Sequence, residues 1–163
     1  MFISNDIISA KQVNQYKKEL EQELASTLRY WMVHTVDETK GGFVGRIDNS
    51  NDVYTTAPKG AVLNGRILWA FSAAYNHCGE NKYLENATRA FKYISEHFID
   101  KEFGGVYWTV DFKGNMADSK KQIYALAFCV YGLSEYYAAS KDEKALKLAM
   151  DLYVLIEQNS YDV

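Results

Sequence analysis

Shifted by 62 positions, the chain matches itself. Leu84 falls on Leu146, Ala87 on Ala149, Phe91 on Tyr153 and Ile94 on Ile156. The same shift carries Lys59 onto Lys121, Ser72 onto Ser134 and Tyr75 onto Tyr137. The Gly pairs 41–42 and 104–105 lie 63 apart, one residue more in the loop. A period this long, holding two helices and a connecting hairpin, marks a repeat architecture. One unit cannot bury its apolar face alone and must stack on its neighbours, which restricts the chain to layered helical folds.

Apolar residues at i, i+3, i+4 spacing predict five helices, over 8–36, 59–78, 81–98, 119–139 and 142–158. Pro58 suits the entry of the second, Gly79 its C-cap, and Ser140 or Asp142 the N-cap of the last. Segments 41–56 and 104–119 open with a Gly pair and continue with alternating β-branched or aromatic residues, which predicts short β-hairpins or ordered loops. Charge sorts the helices into two kinds. Segment 59–77 carries only Lys59 and Arg66, and segment 121–137 only Lys121 and Glu135, whereas the other three helices have charged faces. A helix apolar nearly all round is buried, and one with a charged face borders water. The order outer, inner, outer, inner, outer is that of a double-layered ring of helices. The expected fold class is all-α, of the (α/α)6-toroid type, with short β-hairpins between helix pairs and incomplete at about five of twelve helices. Residues 1–163 are expected to form the N-terminal part of one barrel domain. Asp37 and Asp100 each stand four residues before a Gly pair. Asp162 is the next of that series, and its Gly pair would fall beyond Val163, so the sequence is expected to break off at the entrance to a third unit.

Composition excludes several classes. With 48% hydrophobic and 24% charged residues, the 163-residue chain is one ordinary globular domain and not a disordered one. A net charge of −3 offers no basic excess for nucleic acid or an anionic membrane. No apolar run approaches the ~18 residues of a membrane span. The opening MFISNDIISAKQ lacks a basic region followed by an apolar one, so no secretory signal is expected. Cys78 and Cys129 make no disulfide framework and lack metal-ligand spacing, so no metal site is expected, and they suit a reducing, cytoplasmic compartment. The 13 Tyr, 8 Phe and 3 Trp fit either a core or a sugar platform, and composition does not decide between them.

Arg66 is the sharpest candidate for chemistry. It lies two turns into an apolar inner helix, where a buried guanidinium demands an acceptor. One reading makes it a hydrogen-bond fork for sugar oxygens; the other pairs it with a carboxylate or helix-end carbonyls. Tyr124 sits about one turn nearer the mouth, as a ligand contact or as one more core aromatic. Asn64 and Gln122, near the helix entrances, are candidates to face a cavity, and Trp69 reads as core. Phe43, Tyr54, Tyr107 and Trp108 on the hairpins either line the mouth or cover the loops' own small cores. His34, His77 and His97 sit late in their helices, where a cation meets the negative end of the dipole, and read as structural. No HExxH, GxSxG, P-loop or GxGxxG pattern occurs.

The motifs GGFVGRID (41–48), KGAVLNGRILWAFSAAY (59–75), GGVYWTVDFKGN (104–115) and KKQIYALAFCVYGLSEYY (120–137) resemble, in this order, the N-terminal part of the cellobiose 2-epimerase family within the N-acylglucosamine 2-epimerase superfamily. The resemblance covers essentially the whole chain. It implies an (α/α)6 barrel that inverts carbon 2 of the reducing-end glucose of a β-1,4-linked disaccharide. A base removes the C2 proton, a cis-enediolate forms, and the proton returns on the other face. No metal or organic cofactor is implied. The arginine of the NGRILW motif matches Arg66, as the group that holds sugar oxygens and stabilises the enediolate; the tyrosine of KQIYA matches Tyr124, as substrate-binding. The family's acid–base histidines come from later helices, and His34, His77 and His97 match none of their motifs, so the chain alone is expected to be inactive.

The substrate-binding set expected here is therefore Arg66, Tyr124, Asn64 and Trp108, with Arg66 also catalytic and a small-molecule disaccharide as partner. Two rival readings stand beside it. One is a carbohydrate-binding or protein-interaction module built from a shortened helical repeat; the other is a relative acting on N-acylglucosamine or mannose. Apolar faces left open on helices 119–139 and 142–158 predict self-association.

Overall fold

The computed structural model describes residues 9–160. Asp162, the third member of the aspartate series, lies outside them. Residues up to His34 form one compact unit and those from Thr35 onward a second.

The first unit is α1 (Ala10–His34). It opens on a capping box: Gln12 N–H donates to Ser9 Oγ at 3.3 Å, and Ser9 N–H donates back to Gln12 Oε1 at 2.9 Å.

The second unit contains β1 (Lys59–Gly60), α2 (Ala61–Cys78), α3 (Asn81–Tyr93) with a π-helical turn at Ile94–Phe98, β2 (Thr109–Val110), β3 (Met116–Asp118), α4 (Ile123–Ser140) and α5 (Glu143–Ser160). The two apolar helices, α2 and α4, pack side by side; α3 lies against both, and α5 lies against α4. The charge sorting into inner and outer helices holds for these four. α3 buries Tyr83, Ala87, Ala90 and Phe91 while Lys82, Glu85 and Lys92 remain exposed. α5 buries Ala145, Ala149 and Leu152.

Glycine sets the distance between the inner helices. A β-carbon on Gly65 would stand 2.8 Å from the Phe128 carbonyl oxygen, and one on Gly132 would stand 2.5 Å from the Gly65 carbonyl oxygen. Only hydrogen at both positions lets the backbones meet.

The caps follow the sequence. Gly79 takes φ +73° and returns its N–H to Tyr75 O, and Asp142 Oδ1 accepts from Lys144 N–H at 2.9 Å at the start of α5. The starts of two helices need correction. Helices expected from 59 and 119 begin at Ala61 and Ile123. Lys59 and Gly60 instead pair antiparallel with Val110 and Thr109, joining the 109–118 hairpin in a three-stranded sheet of order β1-β2-β3. The 41–56 segment holds only isolated bridges, Val36 to Phe43 and Ile47 to Val53. Its bend is made by Asp48, whose Oδ1 accepts the N–H groups of Ser50 and Asp52; Asp111 does the same for Lys113 and Asn115 one repeat later.

Candidate functional site

The repeat builds the same clamp twice. In each Gly-Gly loop the aspartate N–H bonds the second glycine's carbonyl, and the first glycine's N–H bonds the aspartate's carbonyl: Asp37 with Gly41 and Gly42, Asp100 with Gly104 and Gly105. All four glycines have φ between +63° and +78°. A lysine just ahead of the next inner helix then locks the loop. Lys59 Nζ reaches Asp37 Oδ2 and Gly41 O, both at 2.8 Å, with Tyr93's ring 4.5 Å away. Lys121 Nζ reaches Asp100 Oδ2 at 2.5 Å, with Tyr107's ring 4.3 Å away. Burial alone would raise the Asp37 carboxyl, but hydrogen bonds from Lys59, Lys40 N–H and Thr39 outweigh it and hold the pKa below its ordinary value. Lys121, helped by the N–H of Phe103, lowers Asp100 to about 2. These clamps fix where α2 and α4 begin.

Within the second unit, α3 and α5 leave one side of α2 and α4 open. Arg66 is exposed there, not buried as its apolar helix predicts. The reason is that α3 and α5 cover the inner pair from one side, and residue 66 points to the other. Its guanidinium carbon lies 5.6 Å from the centre of the Phe128 ring. Tyr124, 58% exposed, meets that ring edge-on, centroids 4.8 Å apart at 70°. Tyr131 meets it at 6.4 Å and 84°, and Trp69 stacks on Tyr131 at 4.8 Å and 13°. A continuous strip, Tyr124–Phe128–Tyr131–Trp69, thus runs along the open face with Arg66 over its second ring. Flat rings beside an arginine suit a carbohydrate, whose C–H faces pack on aromatics while its hydroxyls take N–H donors.

Arg66 and Tyr124 are therefore brought together, through Phe128. Asn64 is not. It is 2% exposed, and its amide donates back to Gly60 O at 2.9 Å inside the packed layer, so it does not face the opening. Trp108 is half-buried at the entrance of α2, where its carbonyl accepts Ala61 N–H at 3.1 Å. Phe43, considered for the mouth, is buried and stacks on Phe71. Trp69, read as core, is half-buried in the open strip. Cys129 is fully buried, which pushes its thiol up to about 12 and fits a small packed hydrophobe. His97 rests against Gly114 O at 3.2 Å and the Tyr93 ring, and His77 lies eleven residues past Arg66, about 16 Å along the axis.

Phe128 and Tyr131 escaped the sequence reading, although the signal was present. The 62-residue shift carries Arg66 onto Phe128 and Trp69 onto Tyr131, so repeat-equivalent positions on neighbouring inner helices share one depth and touch.

Residues 41–162 match the family model described as N-acylglucosamine 2-epimerase (GlcNAc 2-epimerase). The chain is 48% identical, over 90% of its length, to a cellobiose 2-epimerase of Bacteroides fragilis, and covers 38% of that protein. Among solved structures, a sugar epimerase from a ruminal bacterium superposes with a TM-score of 0.85 at 41% identity, over 89% of this chain and 38% of its own. The cellobiose 2-epimerase of Bacillus thermoamylovorans gives 0.84 at 38% identity, over 94% and 39%. The chain thus spans a little over a third of the length of these relatives. Its fold is theirs over that span: helices of the (α/α)6-toroid class with a small antiparallel sheet.

Proposed function

The chain belongs to the N-acylglucosamine 2-epimerase family, and on that premise we propose that it supplies the N-terminal arc of a sugar 2-epimerase acting on cellobiose-type β-1,4-linked disaccharides. The reaction inverts carbon 2 of the reducing-end glucose to give glucosyl-mannose through an enediolate. The observation that carries this reading is the state of Arg66: an exposed guanidinium beside an aromatic strip, with no carboxylate paired to it among the described residues. Its five N–H donors are free for sugar oxygens, and its fixed charge opposes the negative charge that develops on the enediolate oxygens. Tyr124 meets the same Phe128 ring edge-on, its centroid 4.8 Å from that of Phe128, and its hydroxyl is proposed to bind the same sugar. Trp108, half-buried at the entrance of α2, is proposed as a further substrate contact.

The 163 residues alone are expected to leave cellobiose unchanged, because an inversion needs proton donors and acceptors on both faces of carbon 2 and Arg66 cannot give up its proton. No helix among the described residues is long and apolar enough to cross a membrane. The two free cysteines support a cytoplasmic site of action. The test is deuterium exchange at carbon 2 of cellobiose in heavy water. A polypeptide carrying this chain at the full length of the relatives should exchange, and Arg66→Ala should abolish exchange without loss of helicity. Exchange undiminished in Arg66→Ala removes Arg66 from the site, and no exchange in the unaltered full-length protein overturns the function.

A further inference from the structure

We infer that Phe128 is a positioning residue whose ring holds the Arg66 guanidinium in place on the open face while leaving its hydrogen-bond donors uncommitted. The value of those free donors for a sugar rests on the function proposed above; the positioning itself does not. Arginine carries a long stem, and holding it in one rotamer costs conformational entropy. Among the described residues no carboxylate pairs with Arg66, so the partner that orders it must be another kind of group. Phe128 is that group: the guanidinium carbon is 5.6 Å from the ring centre, within the ~6 Å reach of a cation–π contact.

The arrangement is built from the backbone outward. Gly65, the residue before Arg66, lets the main chain of α4 at Phe128 close on α2, since any β-carbon there would stand 2.8 Å from the Phe128 carbonyl oxygen. The phenylalanine is therefore set beside Arg66 by helix contact and not by surface packing. Its ring is pinned in turn by Tyr124 at 4.8 Å and Tyr131 at 6.4 Å, both nearly perpendicular to it. The chemistry explains why a ring and not a carboxylate fills this role. A carboxylate would take two of the five guanidinium N–H groups and cancel the charge, whereas a ring attracts the cation through its face and consumes no donor.

The test uses the 163-residue chain and the side-chain Nε–H resonance of Arg66, assigned by its loss in Arg66→Lys. The ring of Phe128 should displace that resonance upfield. Phe128→Leu should abolish the displacement, and Phe128→Trp should restore it, with the far-ultraviolet spectrum unchanged in both. Tyr124→Ala, which frees one side of the ring while leaving Phe128 packed, should reduce it and serves if Phe128→Leu does not fold. Titration with cellobiose should move the Arg66 resonance, with apparent affinity about tenfold weaker in Phe128→Leu than in Phe128→Trp. An Arg66 resonance that is the same in the unaltered chain, Phe128→Leu and Tyr124→Ala overturns the positioning role. A ring-current change with no cellobiose response in any variant sustains the positioning role and counts against the sugar-binding reading of Arg66.

Discussion

Lys59 Nζ donates to Asp37 Oδ2 across 2.8 Å with the lysine side chain only 1% exposed, whereas its repeat-equivalent, Lys121, holds Asp100 with a third of its side chain in solvent. The same loop lock is thus buried in one repeat and half-open in the next. Removing one partner of a buried pair strands the other charge, at a typical cost of about 3–5 kcal/mol, whereas a solvent-screened pair is worth about 0–1 kcal/mol. Lys59→Met should therefore destabilise the chain by about 3–5 kcal/mol, and Lys121→Met by less, because water reaches the ammonium of that pair. Urea unfolding of the two variants beside the unaltered chain measures the difference. Equal losses would show that burial does not distinguish the two clamps.

Acid should release both locks in a defined window. Asp100 is lowered to about 2 by its hydrogen bond from Lys121, and Asp37 lies below its ordinary 3.8 for the reasons given above. A carboxyl with a depressed folded-state pKa binds its proton more weakly folded than unfolded. Its stabilisation is complete above the unfolded pKa and disappears as pH falls through the folded one. Stability should therefore hold steady down to about pH 4 and then fall towards pH 2. Asp100→Asn should flatten part of that fall. A urea midpoint that is the same at pH 5 and pH 2.5 would contradict the assignment.

The Gly65–Gly132 contact predicts an asymmetry between glycines. Alanine at Gly65 would put a methyl group 2.8 Å from the Phe128 carbonyl, and the backbone there cannot turn aside. Overpacking of this kind costs about 1–3 kcal/mol, and it would also push Phe128 away from Arg66. Gly60→Ala meets nothing within 4 Å and takes an ordinary extended backbone, φ −98°, so it should be neutral. Melting temperatures of the two variants give the comparison, and a neutral Gly65→Ala would mean that the inner helices have room to separate.

The layering was legible in the sequence because burial acts on whole helix faces. The near absence of charge on 59–77 and 121–137 separates α2 and α4 from α3 and α5. Two features were not legible, for different reasons. A two-residue strand such as Lys59–Gly60 carries no hydrophobic period, so its pairing with Thr109 and Val110 is fixed only by the folded chain. The exposure of Arg66 was hidden because a count of apolar residues does not separate a helix covered all round from one open on a single side. The Lys59–Asp37 pairing lay between, since both members of each clamp recur across the repeat but only their meeting in space joins them. Asn64, a polar residue near a helix entrance, is buried in the packed layer, its amide N–H donating to the backbone one turn earlier and its Oδ1 left without a partner.

What α5 leaves uncovered makes self-association a testable expectation. Met150 stands one turn before the adjacent Tyr153 and Val154 on its solvent side, and the three are 53%, 47% and 44% exposed; on α4, Tyr131 is 46% exposed. Clustered apolar side chains of this size on one helix face favour contact with another surface over water. The 163-residue chain is therefore expected to form dimers or larger species as its concentration rises, with α4 and α5 in the contact. Light scattering across a concentration series measures this. Tyr153→Glu combined with Val154→Lys places charge in the strip without touching the buried Ala149 and Leu152, and should shift the chain towards monomer at every concentration. A chain that scatters as a monomer throughout, or an assembly indifferent to the double substitution, would exclude this face as the contact.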